Sequence, residues 1–477
     1  MAKIVPGARG IGKVLIHEGY KYHCNKRLVT SISWRCWRKP CGAILRTNVF
    51  DKDASDPDIA VVSCEAHSHE ADDQIIAHST FLNEARRALS TDPTRLIKRL
   101  YDDLVANAHR SASGQGDGDR FPIIPEFSFV RSQMSRAKSS LLPPTPHHVE
   151  EVMFDGTWRK TWRGERFLLH LDNDWGIAIF STRRNLTALV QCQQLYMDAT
   201  FRTAPQPYEQ MFTVLGDYLG RVIPLVITLM ENRTIGAYRQ VLQKLKRRVC
   251  RYTTQHWEPE AVMMDFEQAL ITAVETELPQ TRVEGCYFHF SQSLWRHIQE
   301  VGLAHGYRHD ERLQTLLRKV IAIGFLPTAL LRNNFTLLRH ARDTVRLIRR
   351  YPSLIDFLTY VQNTYLDGNF PIQLWNVFEK DMDCRTNNNA EAFHRAWNSR
   401  VGVRHPNIWI FVRHLKDLQA LTESSIRDMN RGGEPTRRAR RWRLLENRLL
   451  RLKNQYMRGD RDLDNYWCAV SHLVHRY

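Results

Sequence analysis

Three closely spaced apolar segments in the middle of the chain place the strongest constraint on its fold. They span residues 195–201, 211–218 and 222–230, and a Leu219-Gly220 turn separates the last two. Segments this close together form antiparallel strands, because parallel strands need a crossover of about a dozen residues or more. A helical pattern follows, and residues 261–265 are typical of a short buried strand. This β-β-β-α-β order predicts an α/β fold.

Hydropathy and composition divide the chain into five parts. Gly, Ser and Pro are frequent in residues 111–150, which predicts a flexible linker, whereas apolar residues at helical spacing predict an all-helical segment over 310–366. We assign a small β-rich unit (1–70), a helical segment (71–110), the linker (111–150), an α/β domain with an all-helical insertion at about 296–384 (151–425), and a basic helical tail (426–477).

The composition is that of a globular protein with an excess of positive charge. The 477 residues are 43% apolar and 25% charged, which excludes a disordered or collagen-like chain. The longest apolar run, residues 222–230, is far shorter than the ~20 residues that cross a bilayer. We expect an intracellular protein, because the N-terminus also lacks a secretory pattern. With 68 Lys+Arg against 51 Asp+Glu, the net charge of +17 favours nucleic acid as a partner, although many basic proteins are merely well solvated.

Two cysteines and two histidines near the N-terminus have the composition of a structural zinc site. The motif Cys36-x4-Cys41 is followed by His67-x-His69, and together they supply two thiolates and two imidazoles. The short strands predicted in residues 11–70 bury too little apolar surface to be stable alone. A Zn²⁺ ion would therefore replace the missing core.

The other cysteines leave this ligand set open. The chain has nine cysteines, an odd number spread thinly, which favours thiols and metal ligands over a disulfide framework. Cys24 and Cys64 lie in the same region, and either could displace one of the four ligands. Two buried thiols and two surface histidines are the alternative to a zinc site.

The N-terminal region resembles the FLYWCH zinc finger over about residues 9–70. The resemblance rests on Tyr20-Lys-Tyr22, Trp34-Arg-Cys36, Cys41-Gly-Ala-Ile-Leu-Arg-Thr47 and His67-Ser-His69. Ser33 stands where the family commonly has Tyr, a departure that concerns packing more than zinc ligation. The resemblance implies a compact β-sheet module, related to plant WRKY-type DNA-binding domains, in which the same two cysteines and two histidines bind Zn²⁺.

Three carboxylates stand in separate segments of the predicted α/β domain. Asp198 falls within the first of the three strands, and Asp265 ends the apolar run that follows them. Glu391 lies in the first turn of a helix predicted to begin at Ala390. Carboxylates that converge from separate segments hold pairs of Mg²⁺ ions in enzymes that cleave phosphodiesters. Each acid has a structural alternative: Asp198 at a strand end, Asp265 as a helix cap and Glu391 beside a helix dipole.

Residues 165 to about 420 resemble the transposase domain of Mutator-like elements (MULE), which are cut-and-paste DNA transposases with an RNase H-like core. The matching stretches are Met197-Asp-Ala-Thr-Phe201, Gly220-Arg-Val-Ile-Pro-Leu225, Met264-Asp-Phe-Glu267, Gly285-Cys-Tyr-Phe-His-Phe290, Leu374-Trp-Asn-Val377 and Arg385-Thr-Asn-Asn-Asn-Ala-Glu-Ala-Phe-His394. Ala199 stands where the family often has Gly. The resemblance implies that Asp198, Asp265 and Glu391 are the catalytic acids. It also implies that they bind Mg²⁺ or Mn²⁺ and act on DNA at the element ends and the target.

Three further residues are candidates for accessory roles. Cys286-x-x-His289 has the spacing of half a zinc site, but no second pair is obvious in the sequence, so an orienting or packing role is favoured. Trp295 could stack on a flipped base, although a core position is the more common role of such a residue.

The predicted function is that of a DNA transposase whose finger recognises DNA and whose basic tail binds phosphates. A domesticated, non-catalytic DNA-binding regulator is the alternative, and a finger that binds only protein is a third hypothesis. The resemblance implies a homodimer or higher oligomer, because paired DNA ends need paired active sites. Localisation in the nucleus is expected from this function.

Overall fold

The computed structural model of the protein describes residues 2–6, 13–49, 59–113, 123–380, 385–436 and 440–474. They divide into two compact units, Met1–Thr145 and Pro146–Tyr477. The fold is mixed α/β, and its N-terminal part is rich in β-strands, as the sequence predicts. None of the helices in the described ranges is both long and apolar enough to span a membrane.

The first unit begins with an antiparallel sheet in which consecutive strands are neighbours. Within the described residues its strands are β1 (Lys3–Pro6), β2 (Lys13–His17), β3 (Tyr20–Arg27), β4 (Ser31–Cys36), β5 (Ile44–Asn48) and β6 (Val61–Cys64). Alternation along β4 directs Ile32, Trp34 and Cys36 into a small core with Tyr22 and Leu45. Two of the four predicted zinc ligands, Cys36 and Cys41, are therefore part of this core.

Three helices complete the first unit. They are α1 (Asp73–Thr91), α2 (Ile97–Ser113) and α3 (Phe127–Ser139). Asp72 caps α1, because its carboxylate accepts hydrogen bonds from two backbone N–H groups of the first turn. The third helix lies within the segment predicted as a flexible linker, where Val130 and Met134 are buried against the other two helices. Residues 114–122 of that predicted linker lie outside the described residues.

The second unit is built around a mixed sheet. Its strands in the described residues are β7 (Leu168–Asp172), β8 (Ile177–Phe180), β9 (Gln194–Thr200), β10 (Gln210–Tyr218), β11 (Arg221–Met230), β12 (Ala261–Met264) and β13 (Arg282–Gly285). Their order across the sheet is β13-β12-β9-β10-β11-β8-β7. The predicted antiparallel arrangement of β9, β10 and β11 is confirmed, and β12 pairs parallel to both β9 and β13.

Helices pack against this sheet and form a long helical segment after it. The helices nearest the sheet are α4 (Arg183–Gln191), α5 (Ile235–Thr253), α6 (Gln268–Glu277), α14 (Asn388–Val401) and α15 (Ile408–Asn430). The helical segment comprises α7 (Tyr287–Glu300), α8 (Ala304–His309), α9 (Glu311–Ile321), α10 (Thr328–His340), α11 (Arg342–Arg350), α12 (Leu354–Val361) and α13 (Ile372–Trp375).

The basic tail folds onto that helical segment as α16 (Arg440–Met457) and α17 (Leu463–Val474). Tyr466 and Trp467 are buried, and their side chains donate hydrogen bonds to the backbone oxygens of Phe325 and Lys319. The sheet, the helical segment and the tail share one continuous apolar core. The tail is therefore part of the folded second unit.

Candidate functional site

The four predicted zinc ligands come together in the first unit. Cys36 ends β4, Cys41 follows in the next turn, and His67 and His69 lie just beyond β6. Their donor atoms all lie within 4.8 Å of one another. The Cys36 Sγ atom is 3.2 Å from His69 Nε2, and the Cys41 Sγ atom is 3.4 Å from His67 Nδ1.

These distances fit a tetrahedral zinc ion. With Zn–S near 2.3 Å and Zn–N near 2.0–2.1 Å, sulfur and nitrogen ligands of one ion lie roughly 3.6 Å apart. Hydrogen bonding from the Ser68 backbone lowers the pKa of the Cys41 thiol to about 6, which favours the thiolate that binds metal. Burial raises the pKa of the Cys36 thiol. The residues present thus fit Zn²⁺ at this position.

Neighbouring groups orient both histidine rings. The Tyr22 hydroxyl lies 2.7 Å from His67 Nε2, and the Tyr20 ring stacks on the His67 ring at 3.7 Å with an interplanar angle of 3°. On His69, Nδ1 lies 2.8 Å from the Glu70 carbonyl oxygen, which can only accept, so this nitrogen donates and Nε2 is left free to bind metal. Such partners fix the tautomer of a metal ligand. The sequence contains Tyr22 within the FLYWCH resemblance but does not reveal this role.

The three predicted acids also converge, in the second unit. The parallel register of β9 and β12 pairs Met197 with Met264, so Asp198 and Asp265 occupy the next positions on adjacent strands, with backbones about 4.8 Å apart. Glu391 lies in the first turn of α14. His289 links two of the acids, because its Nε2 atom is 3.1 Å from Asp265 Oδ1 and 3.3 Å from Glu391 Oε1.

The pKa shifts of Asp265 and His289 show that the charged groups of this site influence one another. Burial, together with the negative charge of Asp198, raises the pKa of Asp265 to about 6. Burial lowers the pKa of His289, but its close contact with Glu391 and the nearby negative charge of Asp265 outweigh this effect, so the net shift is upward. Within the described residues, Asp265 Oδ1 and Glu391 Oε1 are buried without a hydrogen bond of good geometry. Divalent cations bind carboxylate oxygens that lack another partner, so these residues fit Mg²⁺ or Mn²⁺.

Cys286 joins this site to the start of α14. Its fully buried sulfur accepts a hydrogen bond from the Asn387 backbone N–H at 3.1 Å, and burial raises the pKa of its thiol to about 12. The donor atoms of Cys286, His289 and Asp265 lie within 4.8 Å of one another. The orienting role of Cys286 and His289 stays a prediction. Trp295 is half-buried and contacts Tyr307 edge to face at 4.9 Å.

His394 belongs to the site, and the sequence analysis missed it. Its Nδ1 atom is 3.1 Å from Asp198 Oδ2, and its Nε2 atom is 3.1 Å from the Thr213 hydroxyl oxygen. The same hydroxyl also lies 3.0 Å from the Asp198 backbone oxygen, to which it can donate. The available signal was the spacing Glu391-x-x-His394, which places both side chains on neighbouring positions of one helix face.

Comparisons with known proteins agree with the two resemblances. A family model of the FLYWCH zinc finger domain matches residues 5–69, and a model of the MULE transposase domain matches residues 194–293. The second match includes Asp198, Asp265 and His289 and ends before Glu391. No curated protein matches the chain. The chain therefore carries matches to a FLYWCH zinc finger domain near its N-terminus and to a MULE transposase domain, and the two matches support a transposase-type DNA-binding protein.

Proposed function

We propose that this protein is a cut-and-paste DNA transposase of the Mutator-like type, in which Asp198, Asp265 and Glu391 form the catalytic centre. The observation that supports this proposal is the placement of the acids: Asp198 and Asp265 occupy neighbouring positions of adjacent chain segments, and His289 links Asp265 to Glu391 in the first turn of a later helix. Carboxylates in such a cluster bind the two metal ions of phosphodiester-cleaving enzymes.

We infer an RNase H-like core from the sheet order. Three antiparallel strands, β9 to β11, are followed by β12 and β13, which add in parallel beside β9. The first and fourth of these five strands hold two of the acids, in the order that such a nuclease core requires. This order supports the proposed catalytic centre independently of the side-chain distances.

Each residue of the centre has a distinct task in the proposed mechanism. Bound Mg²⁺ or Mn²⁺ would activate the attacking oxygen and stabilise the leaving one. Asp198 is held in place for this chemistry, because its Oδ1 accepts from the Ala199 N–H at 2.7 Å and its Oδ2 faces His394. His289 lies between Asp265 and Glu391 and keeps their oxygens directed towards a common point.

DNA binding would be shared between the finger and basic surfaces. The zinc centre would stabilise a finger that recognises the element ends, with Zn²⁺ held by the four ligands of the first unit. Exposed arginines of α11, among them Arg346 and Arg349, and basic residues of the tail would contact phosphates in any sequence. We also propose a homodimer or higher oligomer in the nucleus, which light scattering of the purified protein and imaging of a tagged chain would test.

An excision assay tests the proposed reaction. A plasmid with the gene's own flanking genomic DNA is incubated with the protein and Mg²⁺ or Mn²⁺, and the wild type is compared with Asp198→Asn, Glu391→Gln and the exposed control Asp174→Asn. We expect cleavage at defined ends for the wild type and the control, with cleavage abolished in the two site variants while DNA binding is retained.

The other outcomes are equally informative. Parallel loss of binding and cleavage in the site variants would contradict the roles of the acids. Absence of cleavage by the wild type, with zinc-dependent DNA binding retained, would support the alternative of a domesticated, non-catalytic regulator.

A further inference from the structure

A short hairpin at the start of the second unit presents an aromatic and basic surface. Residues 159–167, called here the Trp162 hairpin, pair Lys160 with Arg166 and turn back between them. Trp162 and Arg163 occupy the two central positions of the turn, which closes with a hydrogen bond from the Gly164 N–H to the Thr161 carbonyl at 3.0 Å. Gly164 has a φ of +81°, a conformation that favours glycine.

The indole of Trp162 is held in one orientation but remains half open to solvent. Its Nε1–H donates to Asp417 Oδ1 at 2.8 Å, and the side chains of Lys416 and Arg413 approach the ring centre at 4.7 and 5.2 Å. The residue is nevertheless 49% exposed. A ring already fixed in this way loses little conformational freedom when it contacts a ligand.

Basic residues outnumber acidic ones on this hairpin by four to one. Arg159, Lys160, Arg163 and Arg166 are exposed. The Arg166 guanidinium donates hydrogen bonds to the backbone oxygens of Leu168 and Leu169. Glu165 is the one acid of the hairpin. Such a surface fits a polyanion, and the half-exposed indole adds aromatic surface that a flat ring can contact.

The combination is specific for nucleic acid with an unpaired base. In a duplex, each base is covered by its neighbours in the stack, so an indole cannot cover its face without unstacking it. Single-stranded segments leave base faces free, and proteins bind them with aromatic platforms beside basic side chains. A duplex alone would engage only the basic residues.

We propose that the Trp162 hairpin binds an unpaired segment of DNA, with the Trp162 indole stacked on a base and the hairpin's basic side chains against the adjacent phosphates. The identity of the nucleic acid as DNA rests on the proposed function. The stacking itself does not depend on the catalytic acids, because the hairpin packs on α15 and contains none of them.

Fluorescence anisotropy with the full-length, zinc-loaded protein tests this proposal without catalysis. One labelled probe is a blunt DNA duplex, and the other is the same duplex with a six-nucleotide single-stranded extension, both without Mg²⁺ or Mn²⁺. The variants are Trp162→Ala, Trp162→Phe and Trp175→Ala, the last a matched control because Trp175 is 40% exposed in the same unit.

We expect Trp162→Ala to weaken binding of the extended probe by roughly tenfold or more and binding of the blunt duplex by less than about twofold. Trp162→Phe keeps an aromatic face and should retain most of the affinity, and Trp175→Ala should match the wild type. Arg163→Glu, at the turn and away from the core, provides a second test that does not disturb the indole packing, with a larger loss for the extended probe than for the duplex.

Three results would overturn the proposal. They are equal losses for both probes, wild-type binding by Trp162→Ala, and, with a third probe whose extension is RNA, tighter Trp162-dependent binding than to the DNA extension. The hairpin proposal and the proposed function can fail independently of each other. Trp162-dependent binding in a protein that never cleaves DNA would refute the transposase activity alone, whereas cleavage with no Trp162 effect would refute the hairpin proposal alone.

Discussion

His394→Ala tests how Asp198, the first of the proposed catalytic acids, is held in place. In the folded protein, His394 is only 7% exposed and connects Asp198 Oδ2 to the Thr213 hydroxyl through two contacts of 3.1 Å. Alanine removes both contacts and leaves one carboxylate oxygen without its partner. The backbone of Asp198 keeps its hydrogen bond from Thr213, so the strand pairing should survive.

The expected magnitude follows from the charge on the acceptor. A hydrogen bond to a charged group contributes about 1.5–3 kcal/mol, which corresponds to roughly a tenfold to hundredfold change in affinity. Partners that orient a metal ligand typically contribute a similar factor of about 10–100. We therefore expect His394→Ala to weaken binding of Mn²⁺ by about tenfold or more, with cleavage reduced at subsaturating metal and partly recovered at high metal concentration.

Electron paramagnetic resonance of free Mn²⁺ measures this affinity without relying on activity. The full-length, zinc-loaded protein is titrated as wild type, His394→Ala, His394→Gln and the exposed control His472→Ala. The glutamine variant can donate one of the two hydrogen bonds and should recover part of the affinity. If His394→Ala binds Mn²⁺ as tightly as the wild type and cleaves equally well, the positioning role of His394 is wrong.

Other predictions concern the first unit. Removal of zinc by a strong chelator, or Cys36→Ser, is expected to unfold the first sheet while helices persist, because the small core depends on the ion, and unchanged β-structure in circular dichroism would contradict this. Tyr22→Phe should weaken zinc binding by roughly tenfold, measured by competition with a chromophoric chelator, and equal affinity would exclude its orienting role. Met134→Ala should lower the free energy of unfolding of the helical part by about 2–5 kcal/mol in urea denaturation, whereas Phe129→Ala on the exposed face of α3 should change it by less than about 0.5 kcal/mol.

The strands of the second unit were predictable from sequence because their apolar runs are long and closely spaced. The three central strands, β9 to β11, are buried on both faces over most of their length, so hydropathy alone identified them. Helix α3 was not predictable from sequence, because the residues around it are rich in Gly, Ser and Pro and its apolar face is short. Only Val130 and Met134 of this helix are buried, and their partners lie on α1 and α2, far away in sequence.

Candidate metal ligands were easier to predict from sequence than the residues placed to orient them. Cysteines and histidines paired at fixed spacings have few other common roles, so Cys36 and His67 could be identified as candidate ligands from composition and motif. Tyr22 and His394 act through contacts made 45 and 181 positions away in the chain, with His67 and Thr213. A tyrosine or histidine in an apolar context has many structural roles, and local sequence does not distinguish them.

The position of Glu391 shows how a candidate site accommodates a long helical segment between its parts. Cys286 and Asn387 are 101 positions apart, yet the Cys286 sulfur accepts the Asn387 backbone N–H, and the next residue, Tyr287, donates its own N–H to the Arg385 carbonyl at 3.0 Å. The two ends of the helical segment are thus joined beside Asp265. Because the position of Glu391 is set by this joint, the helices between can vary in length without moving it. Loop closure costs only about 0.6 kcal/mol for each doubling of length, so most of the geometry of the site depends on the few residues at the joint.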